Sequence, residues 1–198
     1  MKIVGIACSP RKGKSTQYAL ATCLQAAREA VPQTETMLIE LSDMKMNGCV
    51  ACGKCMKVLE CGQEDDFIKM IPILSAPDLA GLVIATPVYF GSMTSLGKAF
   101  LDRCVMFRRN GFLLRNKVGG VIAVGGVRNG GQELTIQAIQ AAMLVQDMLV
   151  VGEGGPTSHY GATLWSGHPE GIEQDTFGLE TARNLGKRVA EVAARMHR

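Results

Sequence analysis

Cys49, Cys52, Cys55 and Cys61 fall within thirteen residues as a C-x2-C-x2-C-x5-C run. Four soft thiolates this close together suit one iron–sulfur cluster or one zinc ion. Three cysteines at successive three-residue steps lean toward iron–sulfur ligation, because structural zinc sites usually pair two knuckles across a longer loop. The bacterial ferredoxin run spaces its fourth cysteine differently and follows it with Pro. Gly62 stands there instead. Cluster, zinc and unligated thiols therefore all remain open on spacing. Cys8, Cys23 and Cys104 stand outside the run and read as core thiols.

A second constellation lies upstream. Cys8-Ser9-Pro10-Arg11-Lys12-Gly13-Lys14-Ser15-Thr16 sits between an apolar run and a helical pattern. Backbone N–H groups at a helix start bind phosphate, helped by the helix dipole. Ser9, Ser15 and Thr16 add hydroxyls, and Arg11 and Lys14 add charge. The segment is neither a Walker loop nor G-x-G-x-x-G. Its plainer reading is a basic turn before a helix capped by Ser9 or Ser15. Two more segments suit a flat ligand. Pro87-Val88-Tyr89-Phe90-Gly91 follows one apolar run, and Tyr89 and Phe90 could pack on a ring. Gly125, Gly126 and Gly131 follow another and permit close backbone approach. The plainer reading of both is an ordinary strand-to-helix turn.

The elements that must position these groups alternate along the chain. Short apolar runs at 2–7, 35–41, 81–86, 118–124 and 149–151 read as strands. Helical patterns cover 15–30, 65–74, 96–107, 132–148 and 175–196. Continuous apolar strands separated by helices imply an α/β protein: a flavodoxin-like, doubly wound, five-stranded parallel sheet with helices on both faces. The phosphate loop and the two ring-facing segments then follow strands one, three and four. They converge beyond the carboxyl ends of the sheet, where such folds bind ligands. The 198 residues suit one domain, 1–198, carrying the cysteine-rich loop at 47–62. The segment 152–171 reads as irregular, with His159, Trp165 and His168 able to reach a neighbouring subunit's ligand.

Composition narrows the function classes. A net charge of +3 does not suggest a nucleic-acid or membrane partner. No apolar run reaches the roughly 18–20 residues of a membrane span, and the apolar start is short for a signal peptide. A cytoplasmic protein with reduced thiols is expected.

Ser9-Pro10-Arg11, Thr86 to Met93, Lys98-Ala99-Phe100-Leu101-Asp102-Arg103 and Gly130-Gly131-Gln132-Glu133 resemble the flavodoxin-like NAD(P)H-dependent FMN reductase superfamily. The cysteine run resembles its iron–sulfur flavoprotein branch. The resemblance covers roughly Met1 to Gln140 (judged by where its motifs fall). It implies FMN, with phosphate at Ser9, Arg11, Ser15 and Thr16, whereas Lys14 replaces a residue that is usually small in the family. It implies flavin contacts from Pro87, Val88, Tyr89, Phe90 and Gly91, with Gly125, Gly126 and Gly131 along the ring edge. It implies a 4Fe–4S cluster on Cys49, Cys52, Cys55 and Cys61, and a homodimer or homotetramer. Cys8 and Ser15 stand where the family often has Gly and Asn.

The leading expectation is a flavin-dependent oxidoreductase that takes electrons from ferredoxin through the cluster to FMN and a small-molecule acceptor. No catalytic acid or base is assigned, because cofactors carry such chemistry. One alternative is an NAD(P)H-dependent FMN or quinone reductase with a structural cysteine loop. Another is a redox or metal sensor without turnover.

Overall fold

A computed structural model describes residues 1–196. The expected domain runs to 198, so its last two residues lie outside the described residues. The core is one twisted sheet. Strands β1 (Lys2–Ala7), β2 (Glu35–Glu40), β3 (Leu79–Pro87), β4 (Val118–Gly125) and β5 (Leu149–Val150) lie in the order β2-β1-β3-β4-β5. All of these neighbours run parallel. The order reverses at β1, which opens a crevice between the ends of β1 and β3.

β3 and β4 are buried along nearly their whole length because helices cover both faces. Side chains alternate across the sheet. Val83, Ile122 and Val124 face helices α1 (Ser15–Ala30) and α6 (Thr176–Met196). Leu82, Ile84 and Val121 face α2 (Met70–Leu74), α3 (Ser95–Arg103), α4 (Val105–Arg109) and α5 (Gln132–Val145). On that second face Phe67, Phe100 and Phe107 form a tilted aromatic cluster, with ring centroids 6.2 and 6.4 Å from Phe67.

Three expectations change in detail. The fifth strand position is split. β6 (Ala162–Trp165) also pairs parallel with β4, from Ile122 to Gly125, beyond the two residues taken by β5. The segment 152–171 is thus not irregular throughout. Four residues are too few to show a period, and pairing with β4 makes the strand. The helix expected over 96–107 breaks at Cys104, whose carbonyl accepts from Gln146 Nε2 at 2.9 Å. The helix expected over 65–74 becomes a 3-10 turn, Asp66–Lys69, followed by α2. Asp65 caps that turn by accepting from the Phe67 N–H at 3.2 Å.

Candidate functional site

The three loops expected to hold a flat phosphorylated ligand do meet at one end of the sheet. They leave β1, β3 and β4, which are neighbours in it. Thr94 ties the first two together: its hydroxyl donates to the Cys8 carbonyl at 2.7 Å and accepts from Gly97 N–H at 3.0 Å. It thereby caps α3 and fixes that helix against the β1 loop.

Ser9 is buried, and its hydroxyl accepts from the Arg11 N–H at 3.1 Å. That bond shapes the turn rather than capping α1. Lys14 occupies the capping position of α1 without a capping bond, so the expected Ser9 or Ser15 cap is not formed among the described residues. No acid stands in the first turn of α1. A helix start with uncapped N–H groups and no acid in its own first turn fits a phosphate. Arg11 and Lys14 are exposed beside it, Ser15 is half-buried and Thr16 is buried. One donor of the loop is already taken: the Gly13 N–H bonds the Glu40 carboxylate at 2.8 Å.

Tyr89 and Ser92 exchange two backbone bonds, 2.8 and 3.0 Å, around Phe90 and Gly91. Both middle residues have positive φ, 49° and 73°, a tight turn that strains Phe90. The turn leaves the Phe90 ring wholly exposed and Tyr89 nearly half-exposed. Pro87 and Val88 lie half-buried at the strand end, where Val88 N–H donates to the Val124 carbonyl. Across the crevice, a Cβ on Gly131 would stand 3.3 Å from the Gly91 Cα, so the two loops touch there. Gly126 faces open space. Gly125 is glycine for another reason: the Gln132 amide occupies the volume its side chain would need.

The segment after β6 braces this loop from within the same chain. Trp165 Nε1 donates to the Gly126 carbonyl at 3.0 Å, and Ser166 donates twice to the Gly125 carbonyl. Sequence reading gave Trp165 and Ser166 no such part.

The four cysteines of the run line one pocket. Their loop is closed at its neck. Lys45 and Asp66 exchange bonds at 2.7 and 2.9 Å, and Asn47 N–H donates to Asp65 at 2.8 Å. A closed neck makes residues 45–66 a compact loop with its own cavity. Cys49 and Cys52 are exposed, Cys55 and Cys61 half-buried. A Cβ on Gly62 would lie 2.8 Å from the Cys52 sulfur, so glycine there leaves that thiol its room. Among the described residues, no three His, Cys, Asp or Glu side chains converge on a ready-made ion position.

Two arginines aim at the sulfurs. Arg103 Nη2 donates to Cys61 Sγ at 3.0 Å, and Arg109 Nη1 to Cys55 Sγ at 3.2 Å. Arg109 ends α4 and makes this contact from an exposed side chain. Asn110 steadies the same cysteine by donating to the Cys55 carbonyl at 3.0 Å. Arg103 pairs with Asp65, and both side chains are buried. Burial opposes the Arg103 charge, but Asp65 and Cys61 outweigh it and hold the guanidinium above its usual range. Burial likewise opposes the Asp65 charge. Bonds from Arg103 and from the Asn47 and Phe67 N–H groups prevail, and its carboxyl sits below the usual carboxylate range. One signal of Arg103 was available: Leu96, Phe100, Arg103 and Phe107 follow an i, i+4, i+7, i+11 stripe, which places a cation on an apolar face.

The NADPH-dependent FMN reductase family matches residues 1–163. The chain belongs to this family, in its iron–sulfur flavoprotein branch. It is a flavin-dependent oxidoreductase. An iron–sulfur flavoprotein of Methanocaldococcus jannaschii is 43% identical over 192 residues, covering 97% of this chain and 97% of the relative. An iron–sulfur flavoprotein of Methanosarcina thermophila is 39% identical over 192 residues, covering 97% of this chain and 95% of the relative. The fold is that of a WrbA-like flavodoxin from Agrobacterium tumefaciens, with TM-score 0.63 and 20% identity, covering 100% of this chain and 99% of that one. RosB, solved with 8-demethyl-8-formylriboflavin-5'-phosphate bound, aligns with TM-score 0.74 and 15% identity, covering 100% of this chain and 80% of that one. Among the described residues, no helix of this flavoprotein is long and apolar enough to cross a membrane.

The remaining thiols of the flavoprotein differ in kind. Burial pushes Cys8 and Cys23 up to about 12 and raises Cys104 as well. Thiolate is the reactive form, so these three are inert in the fold. Iodoacetamide at pH 8 on folded, iron-free protein should label Cys49 and Cys52 first and spare Cys8, Cys23 and Cys104. Peptide mass spectrometry reads this out, and early labelling of Cys8 would show that the crevice floor is open.

Proposed function

We propose that this flavoprotein binds FMN in the crevice and a 4Fe–4S cluster in the cysteine pocket, and carries electrons from a small donor such as ferredoxin to a small-molecule acceptor. The observation that carries the reading is the cysteine pocket itself. Four thiols of one closed loop line it, and two arginine N–H groups point at their sulfurs. Cationic donors suit thiolates held together, whose negative charge needs compensation.

When bound, the two groups supply electron storage, the flavin for one or two electrons and the cluster for one. The chain's own residues do the rest. The uncapped start of α1, with Arg11, Lys14, Ser15 and Thr16, would hold the phosphate. Val88, Tyr89, Phe90 and Gly91 would lie against the ring, with Gly126 and Gly131 along its edge. A ring laid on Phe90 would cover its exposed, strained position. Cys49, Cys52, Cys55 and Cys61 would ligate the cluster. α3 joins the sites: its cap Thr94 lies at the crevice and Arg103 at the pocket. The nine residues of α3, which ends at Arg103, set about 13 Å along the helix between Thr94 and Arg103.

Exposed Val127 and Leu134 support assembly into a homodimer or homotetramer. Free thiols throughout support a reducing, cytoplasmic setting. A second reading is favoured by the family description itself, which names NADPH as donor. In that reading the cysteine loop is structural. Anaerobic stopped-flow separates the two. The electron-carrier reading expects flavin reduction by reduced ferredoxin to outpace NADPH or NADH by at least about tenfold, roughly 1.4 kcal/mol of barrier. Fast reduction by NADPH alone, unaltered when Cys52 is replaced, would establish the reductase instead.

A further inference from the structure

We infer that Arg103 is a fixed cation that raises the reduction potential of the centre held by Cys61, an inference that rests on the cluster reading above. Four contacts fix the guanidinium in place. Nη1 pairs with the Asp65 carboxylate and also donates to the Asn47 carbonyl at 3.3 Å. Its Cζ lies over the Phe67 ring, 4.4 Å from the centroid. Nη2 donates to Cys61 Sγ at 3.0 Å. Nε is buried with no partner among the described residues.

The order of these charges matters. The cation lies between the buried carboxylate and the sulfur, so the ion pair presents its positive end to Cys61. A reduced centre carries one more negative charge than an oxidised one, and a nearby cation stabilises it more. Hydrogen bonds to ligand sulfurs and local net charge are the levers that set such potentials. The lever is strong here because the Arg103 side chain is only 1% exposed, where water cannot screen it. Arg109 makes the same kind of contact at 3.2 Å but from an exposed side chain. Its influence is weaker and falls with salt. A purely structural latch between α3 and Asp65 would not require the Nη2 contact to sulfur.

Anaerobic redox titration of reconstituted wild-type, R103Q, R103K and R109Q proteins tests this. Cluster reduction is followed by visible absorbance and by electron paramagnetic resonance, with the flavin couple as internal control. R103Q should shift the cluster's reduction equilibrium about tenfold toward the oxidised form, about 59 mV lower for one electron. R103K keeps the charge, but a single ammonium cannot bridge Asp65 and Cys61 together. It should shift the equilibrium in the same direction by less than R103Q, and it decides the matter if R103Q fails to keep iron. R109Q should shift it less than threefold, and less still at 1 M salt. Flavin potentials should stay unchanged in all four proteins. An unshifted or raised cluster potential in iron-replete R103Q or R103K overturns the inference alone. Wild-type protein without iron and sulfide after anaerobic reconstitution overturns the cluster reading and the inference with it.

Discussion

Replacing Cys52 by alanine should strip iron from the protein and leave FMN in place. Cys52 lines the pocket with the other three thiols of the run, and a side chain at Gly62 would crowd its sulfur. A cluster held by three protein thiolates loses one corner's ligand, and exposed Cys49 offers water an easy entry. Iron content should fall at least about tenfold, the loss expected for a first ligand when outer partners alone cost 10–100-fold. FMN affinity should change by less than about twofold, because no cysteine of the run lines the crevice loops and sites this far apart act additively. Iron and FMN analysis of the gel-filtered protein decides the point. Loss of FMN with unchanged iron would contradict the division of labour between the two sites.

The second large effect is expected at Asp65. Asn47 and Phe67 N–H groups bind this carboxylate, and it is the counter-charge of buried Arg103. Asp65→Asn keeps an acceptor for the amides but leaves the guanidinium buried without its anion. Breaking one side of a buried pair costs about 3–5 kcal/mol. Urea unfolding at pH 7 should show a loss of this size, and the neck of the cysteine loop should open first. The pH dependence has a definite sign. Asp65 is held below the usual carboxylate range, so its contribution is complete above the unfolded value near 4. It is lost as pH falls through the lower, folded value. The stability gap between wild type and Asp65→Asn should therefore be full at pH 7 and shrink in acid, below about pH 4. A gap that widened in acid would show that the carboxylate is not the stabilising partner.

The sheet was legible because buried parallel strands leave continuous apolar runs. The runs read at 118–124 and 81–86 fall within the buried strands Val118–Gly125 and Leu79–Pro87. The crevice was legible too, since loops after neighbouring parallel strands must share an end of the sheet. What stayed hidden depends on partners distant in sequence. β6 exists because β4 offers an unpaired stretch beyond β5. The break at Cys104 owes to Gln146, and the grip on the cysteine loop owes to Asp65, Arg103 and Arg109. No local spacing encodes such pairs. The glycine at 125 shows the opposite hazard. Glycine there suggests only a close approach, and the approach the structure shows is that of the Gln132 side chain.

The central claim is that one small chain holds both a flavin and an iron–sulfur centre. The visible absorption spectrum of protein purified without oxygen, with iron, sulfide and FMN determined on the same sample, tests it most directly. The account predicts flavin bands riding on broad sulfur-to-iron absorbance that bleaches on reduction, with four irons and four sulfides per FMN. A clean flavin spectrum with no iron, or with one zinc per chain, would contradict it.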